Sequence, residues 1–160
     1  MQIRLADLDR EADALLAVQR AGYAVEARLV GVEALPPQHE TVADLLGESL
    51  WVAEQRGAVV GLLGLEDGGE LVIARLVVAP ASMRRGIGRA LARHALALAG
   101  GRAVRVGTAA ANAPALALYA SLGFERVRER TVSGDIAYVE LVLPGAPRLS
   151  ARDDESGARR

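Results

Sequence analysis

The sequence predicts a three-layer α/β domain, with a mixed central β-sheet and helices on both of its faces. Two observations predict it. Apolar residues follow helical spacing near the N-terminus and strand-like alternation further on, so both kinds of element are present. The apolar run 71–78 is typical of a strand buried on both faces, and a helix pattern and a second strand pattern follow it. Such a strand–helix–strand unit favours a parallel pair with a right-handed crossover.

The first third of the chain is predicted to be mainly helical. Residues 2–5 alternate as a short strand, and Asp7 or Asp9 caps a helix with an apolar face. A second helical piece is expected at about 21–30. The pair Pro36-Pro37 then breaks the chain, and a short helix is expected over 41–46.

Strands dominate the middle of the chain. The stretches 49–55 and 58–65 flank Arg56-Gly57, which is a hairpin signal. The third strand, 71–78, ends before Pro80, which cannot donate to a strand ladder. An alanine- and leucine-rich helix follows from about residues 84–86 to 99, with Ile87, Leu91 and Leu98 predicted on its buried side.

The last predicted elements are a strand, a helix and two strands. The strand covers 102–107, and Asn112 is expected to cap a helix over 113–121 that Gly123 ends. Two strands, 124–131 and 136–143, complete the sheet. We place the domain at residues 1–144 and expect the polar segment 145–160 to be a disordered tail.

Composition limits the chemistry that the chain can perform. The 160 residues are 51% apolar with a net charge of −1, which suits one domain and gives no nucleic-acid-binding signature. The absence of cysteine excludes disulfides, thiolate metal sites and an acyl-cysteine intermediate. The absence of lysine excludes a P-loop. Two separated histidines, His39 and His94, predict no metal site.

The sequence also carries signals that bear on where in the cell the protein is located. No apolar run reaches the ~18 residues that a membrane-spanning helix needs. Residues 1–7 lack the long apolar segment of a signal peptide. We therefore expect a soluble cytoplasmic protein, monomeric or homodimeric, that binds neither membrane nor nucleic acid.

The turn after the strand 71–78 has the features of an anion site. A helix N-terminus leaves its first amides unpaired and carries partial positive charge. Gly86 and Gly88 let a ligand approach the backbone, and Arg84, Arg85 and Arg89 add charge. These features suit a pyrophosphate. A solvated arginine face on an ordinary helix remains the alternative, and the glycine spacing does not match a dinucleotide-binding fingerprint.

Two motifs together resemble the GNAT superfamily of acetyl-CoA-dependent N-acetyltransferases. The first is Val77-x-x-Pro80 followed by the Arg-Arg-Gly-Ile-Gly-Arg-Ala-Leu sequence of residues 84–91. The second begins at Asn112, contains the Leu118-Tyr119 pair and ends in Gly-Phe at residue 124. The resemblance covers about residues 2–143 and implies the GNAT-like fold, with acetyl-CoA as cosubstrate and no metal.

The resemblance implies a set of cofactor-binding residues on two motifs. The family's pyrophosphate turn usually opens with Gln or Arg where this chain has Met83, but main-chain amides form most of that site. Asn112 would bond the pantetheine arm, or act as a plain helix cap, or do both. The implied residues are Leu76, Val77, Val78, Met83, Arg84, Arg85, Gly86, Ile87, Gly88, Arg89, Asn112 and Tyr119.

The resemblance also suggests catalytic roles. Tyr119 would be the general acid that protonates the coenzyme A sulfur, since a phenol with its usual pKa of ~10 stays protonated at neutral pH. Its alternative role is that of a core aromatic residue. Glu70 is the carboxylate nearest the strand 71–78 and is our candidate base, although a solvated turn residue or a water chain are the alternatives. Glu26 and Glu33 either attract a cationic amine or are exposed helix charges.

The predicted activity is acetyl transfer from acetyl-CoA to a primary amine within a ternary complex. The amine would belong to a small molecule or to a protein N-terminus or lysine. We expect its site to be formed by residues 23–32, which begin with Tyr23, by Trp51 and by the last hairpin, which includes Tyr138. The alternative is a catalytically silent domain that binds acyl-CoA as a sensor or scaffold. A third hypothesis is transfer of the acyl group to an oxygen, or transfer from a longer acyl donor, because fold alone does not set function.

Overall fold

The computed structural model describes residues 1–146, and its elements follow the predicted order. The tail prediction for 145–160 lies, from residue 147 on, outside these residues. The strands are β1 (Gln2–Leu5), β2 (Ser49–Gln55), β3 (Ala58–Asp67), β4 (Leu71–Val78), β5 (Val104–Ala109), β6 (Glu125–Val132) and β7 (Ile136–Leu143). The helices are α1 (Leu8–Val30), α2 (Val42–Leu45), α3 (Ile87–Ala99) and α4 (Ala113–Ser121).

The strands form one mixed sheet in the order β1-β2-β3-β4-β5-β7-β6. The pair β4–β5 is parallel, as predicted, and every other neighbouring pair is antiparallel. The parallel pairing is short: it joins residues 71–73 to 104–106 and then stops. Next to this point, Ala74 is an extra residue in the β3–β4 register, where Gly64 pairs Arg75 and Leu65 pairs Ile73. The sheet therefore opens at its centre.

Each face of the sheet carries its own hydrophobic core, which gives the three layers. On one face, Ile87 and Leu91 of α3 and Tyr119 of α4 pack against β3, β4, β5 and β7. On the other face, Leu15 of α1 and Leu45 of α2 pack on β2, β3 and β4. The mixed sheet with helices on both faces that the sequence predicts is confirmed. Among the described helices, none combines the length and apolar character needed to cross a bilayer.

Two helix predictions were wrong in detail. The first helix is continuous over Leu8–Val30, with no break near residue 21. Helix α3 begins at Ile87, so Arg85 lies in the preceding turn rather than on the helix. Its buried line runs through Ala95 and Ala99, whereas Leu98 is 41% exposed. A line of residues four apart lies at a small angle to the helix axis, so a tilted helix buries it and lets Leu98 face solvent.

Gly22 brings α1 into direct contact with β4. A Cβ at this position would lie 2.0 Å from Val77 Cγ2 and 3.1 Å from the Val78 carbonyl oxygen. A glycine inside a helix is unfavourable by itself, so it indicates a close packing contact. Because α1 touches the C-terminal half of β4 here, the residues that follow Gly22 on α1 lie beside the opening in the sheet.

We expect Gly22→Ala to destabilise the protein despite the better helix propensity of alanine. Overpacking at such a contact lowers the free energy of unfolding by about 1–3 kcal/mol. Urea denaturation monitored by circular dichroism measures the change. The matched test is the double variant Gly22→Ala/Val77→Ala, in which the clashing methyl group is absent. If Gly22→Ala lowers stability equally in both backgrounds, the close contact with Val77 is not the cause.

Candidate active site

The divergence of β4 from β5 forms a cavity at the centre of the molecule. Beyond Ile73 and Val106 the two strands no longer pair, and a cavity of about 60 Å³ lies between them and α1. Helix α4 closes one side and β7 another. The lining residues are Tyr23, Glu26, Ile73, Ala74, Arg75, Leu76, Val106, Gly107, Thr108, Asn112, Ala115, Tyr119 and Tyr138.

Strand β4 presents backbone donors to this opening. The amide of Ala79 donates to the Val60 carbonyl oxygen of β3 at 2.8 Å. Because amides along a strand point alternately to its two sides, the amide of Val77 also points to β3. The amides of Leu76 and Val78 therefore point towards β5, with which they have no register partner. They are donors that an acyl carbonyl or an amide-containing ligand can use.

The turn between β4 and α3 carries a row of unpaired amides. Among residues 1–146, no backbone or side-chain acceptor bonds the amides from Arg84 to Arg89, and the first helical bond runs from the Ala90 amide to the Gly86 carbonyl. Arg84 (φ 60°) and Gly86 (φ 80°) adopt left-handed conformations. Such a conformation is strained for arginine, and alternation of this kind gathers amides into an anion-binding concavity.

The surroundings of the turn fit a phosphate-bearing cofactor. A Cβ at Gly86 would have no neighbour within 4 Å, so the space beside its amide is open. Gly88 faces Leu118 of α4 and Leu76 of β4, each 3.7 Å from the position of a Cβ, and so links the turn to the opening in the sheet. Arg84 and Arg85 are exposed and form no ion pair within the described part of the chain.

Tyr119 and Asn112 reach the cavity from α4. Asn112 caps this helix as predicted, since its Oδ1 accepts a hydrogen bond of 3.2 Å from the Ala115 amide. The Tyr119 ring is buried and meets the Phe124 ring edge-to-face, with centroids 5.3 Å apart. Burial, with a smaller effect of the Glu26 charge, raises the pKa of Tyr119. The phenol is therefore protonated at neutral pH, as a proton donor must be.

Glu70 lies away from this cavity. It precedes the first residue of β4, at the end of the parallel pair opposite the opening. Its side chain is exposed and accepts a hydrogen bond of 2.9 Å from Arg105 Nε. That guanidinium lowers the pKa of the Glu70 carboxyl. A carboxylate held in an ion pair outside the cavity is poorly placed to take a proton from a group bound beside Tyr119.

Glu26 lines the cavity, and the prediction that it is an exposed helix charge was wrong. It is half-buried, one helical turn after Gly22, and lines the opening together with Tyr119 and Asn112. Burial raises the pKa of its carboxyl, and hydrogen bonding from Asn112, Ala109 and Thr108 offsets part of that rise. The helix glycine four residues earlier is the sequence signal that could have indicated it. Glu33, by contrast, is exposed.

Arg75 holds a buried polar network beneath the cavity. Its Nε and Nη2 donate to the two carboxylate oxygens of Glu48 at 2.7 and 2.6 Å. Its Nη1 donates to Glu40 at 2.5 Å and to Gln19 Oε1 at 2.6 Å. Gln19 is fully buried and also donates to the Pro37 carbonyl oxygen. One arginine of β4 thus links α1 and the segment between α1 and β2 to the sheet.

Of the aromatic residues predicted near an acceptor, two line the cavity and one does not. Tyr23 and Tyr138 are lining residues. Tyr138 packs so closely on Gly107 that a Cβ there would lie 2.4 Å from its Cε1 atom. Trp51 instead packs against the His94 ring at 4.3 Å between centroids. Within residues 1–146, no group of three histidine, aspartate or glutamate side chains is arranged to hold a metal ion.

The curated proteins that match the chain include two relatives from other bacteria. The chain is 34% identical over 130 residues to the UPF0157 protein YqkA of Bacillus subtilis, covering 79% of this chain and 37% of that protein. It is 40% identical over 95 residues to the N-alpha-acetyltransferase RimI of Mycobacterium tuberculosis, covering 54% of this chain and 60% of that one. The chain therefore spans less than two thirds of the length of each of these relatives.

Solved structures share the fold. The ribosomal-protein-S18-alanine N-acetyltransferase of Escherichia coli superposes with a TM-score of 0.76 at 20% identity, covering 94% of this chain and 97% of that one. YncA of Salmonella typhimurium, a structure with its cofactor acetyl-CoA, has a TM-score of 0.67 at 20% identity and covers 93% and 98%. At such identities these likenesses concern the fold.

The family assignment rests on a part of the chain that contains most of the cavity's lining residues. The family model described as Acetyltransferase (GNAT) domain matches residues 47–126, half of the chain. This range includes β4, the turn with its unpaired amides, and α4 with Asn112 and Tyr119. It is also the range whose two motifs carry the sequence resemblance. The chain belongs to the GNAT family of acetyltransferases.

Proposed function

We propose that this chain is an N-acetyltransferase that moves the acetyl group of acetyl-CoA directly to a primary amine. One observation carries the proposal. The unpaired amides at Arg84–Arg89 adjoin Leu76 of β4 through Gly88, and Leu76 and Tyr119 both line the cavity where β4 and β5 separate. Such an arrangement suits a ligand with a phosphate group at one end and a thioester at the other.

Each part of this arrangement has a chemical task in this proposal. The amides at the start of α3 bind the pyrophosphate, which a helix N-terminus favours electrostatically. An amide of Leu76 or Val78 donates to the thioester carbonyl and stabilises the oxyanion that forms on attack by the amine. The Tyr119 phenol gives its proton to the departing sulfur. Since the 160 residues contain no cysteine, transfer occurs directly from the thioester to the amine.

The comparisons support acetyl-CoA as the cosubstrate and an amine as the acceptor. The Salmonella protein of similar fold has acetyl-CoA bound. The mycobacterial relative and the E. coli structure are both described as N-acetyltransferases, the latter acting on an alanine of a ribosomal protein. A peptide N-terminus or a small amine is the acceptor class that we carry over to this chain.

The alternative is a domain that binds acyl-CoA without turning it over. It would use the same turn and the same β4 amides but would need no proton donor beside the thioester. Tyr119 is the residue that favours the enzyme, since it lines the cavity and is buried from solvent. Binding of acyl-CoA without turnover is therefore the alternative hypothesis that the activity assays must exclude.

Calorimetric titration with acetyl-CoA, and separately with NAD, tests the cofactor site. We expect acetyl-CoA to bind with one site per chain and NAD not to bind, because the glycine spacing at Gly86 and Gly88 lacks the third glycine of a dinucleotide site. Coenzyme A should compete with acetyl-CoA. If neither thioester nor free coenzyme A produces heat, the unpaired amides do not form a pyrophosphate site and the proposed function falls.

A further inference from the structure

Glu26 differs from the other half-buried glutamates of the described chain. Those others, at positions 11, 40, 48, 54 and 140, each form an ion pair with an arginine. Glu26 forms none within residues 1–146. A carboxylate withdrawn from water without a cationic partner is unfavourable. Such a group is therefore well suited to bind a cation that arrives with a ligand.

The fold holds Glu26 beside the reacting region. Gly22 fixes α1 against Val77 and Val78, and Glu26 follows one turn later on the same side of the helix. It faces the C-terminal ends of the diverging strands, where Thr108 and Asn112 lie. Tyr119 lines the same cavity of about 60 Å³. Glu26 and Tyr119 therefore line one small cavity, the chamber of this proposed active site.

We infer that Glu26 binds the ammonium group of the acceptor and acts as the general base that removes its proton. This inference rests on the proposed function. Glu26 takes one proton from the ammonium group, which frees the nitrogen lone pair. The nitrogen then forms a bond to the thioester carbon, and the carbon–sulfur bond breaks. Tyr119 gives its proton to the sulfur. The attacking nitrogen carries two protons at this stage; one of them restores the phenol and the other stays as the N–H of the amide.

The electrostatics of the chamber support this role. Around Glu26 lie Tyr23 on its own helix, Tyr119 of α4 and Tyr138 of β7, all of them neutral at pH 7 because burial raises each phenol pKa. Arg75 of β4 forms ion pairs with Glu40 and Glu48. Arg130 of β6 lies over the ring of Tyr138, 5.8 Å from its centroid. Burial raises the pKa of Glu26, which brings it closer to neutrality and makes the carboxylate a stronger base.

The sign of the pH dependence follows from these protonation states. The base acts only when ionised, so kcat/KM rises with pH through the raised Glu26 pKa. This rising limb of the pH profile lies at the same pH for every amine. Without the carboxylate, only the neutral amine reacts. In the pH profile of Glu26→Gln, the rise of kcat/KM should therefore move to the pKa of the amine that is used.

The experiment compares Glu26→Gln with wild type on primary amines of graded pKa, measured by coenzyme A release. Asp13→Asn, the same change at an exposed position of α1, is the matched control. For an alkylamine that is protonated at pH 7, we expect kcat/KM of Glu26→Gln to fall about 100-fold or more, with Asp13→Asn unchanged. For an amine that is already neutral at pH 7, the loss should shrink to less than about tenfold, because no proton has to be removed first.

The outcomes separate this inference from the proposed function. An equal loss for neutral and protonated amines, with an unshifted pH limb, means that Glu26 only supports the structure and overturns the inference. Full activity of Glu26→Gln overturns it as well. If wild type binds acetyl-CoA but releases no coenzyme A with any amine, the proposed function fails whatever Glu26 does. Glu70→Gln is expected to keep the wild-type pH limb.

Discussion

Tyr119→Phe is expected to lower kcat by about 100-fold or more, the usual size of a lost general-acid contribution. The variant removes only the hydroxyl oxygen and keeps the buried ring and its contact with Phe124. The affinity for acetyl-CoA, measured by calorimetry, should therefore stay within a few-fold of wild type. A loss in kcat without a loss in binding is the signature of an interaction made mainly in the transition state.

The second tyrosine of the chamber provides a comparison. Tyr23→Phe removes the hydroxyl of another tyrosine that lines the same cavity, but one that lies on α1 and outside the two motifs that suggest coenzyme A binding. Its effect on kcat should be smaller than that of Tyr119→Phe. If the two variants lose activity equally, or if Tyr119→Phe turns over as fast as wild type, Tyr119 is not the proton donor to sulfur.

Arg75→Ala should reduce the free energy of unfolding by about 3–5 kcal/mol, because it leaves the Glu48 and Glu40 charges without a partner at a largely buried site. Total stabilities of single domains are only about 5–15 kcal/mol, so the variant is expected to be marginally folded. Urea denaturation at pH 7 measures the loss. The backbone at Gly64 packs directly against this ion pair, since a Cβ there would lie 2.1 Å from Glu48 Oε2.

Two further variants test why Arg75 matters. Arg102→Ala removes an arginine that pairs with Asp67 at an exposed site, where solvent screening leaves an ion pair little effect on stability. Arg75→Leu combined with Glu48→Leu removes both charges of the buried pair and should restore part of the stability. A loss for Arg102→Ala as large as that for Arg75→Ala would contradict an explanation based on buried charge.

The sequence was most informative where local chemistry decides the structure. The bounds of β4 and α4 were predicted correctly, because Pro80, Asn112 and Gly123 are strong local stop and cap signals. The parallel β4–β5 pair follows from the strand–helix–strand order alone. The turn with unpaired amides is similarly local, since glycines and the first amides of a helix adjoin one another in sequence.

The chamber itself depends on contacts that no local pattern contains. The sequence does not show that β4 and β5 pair over only 71–73 and 104–106 and then separate. Glu26 lies at the cavity because Gly22 packs on Val77, which is 55 positions away in the chain. Arg75 is the one charged residue of an apolar strand, and its three partners come from separate segments. Long-range packing and charge pairing therefore decide which charged side chains lie at the cavity and which are held in ion pairs.

The most direct test of acetyl transfer in this chamber is coenzyme A release from acetyl-CoA by the wild-type chain, with and without a panel of primary amines and alanine-terminated peptides. Mass spectrometry of the acceptor should accompany the release assay. We predict amine-dependent release matched by acceptors that gain one acetyl group, and a rate lowered about 100-fold in Tyr119→Phe. Tight binding of acetyl-CoA with no amine-dependent release from any acceptor would contradict the account and identify the chain as a binding domain.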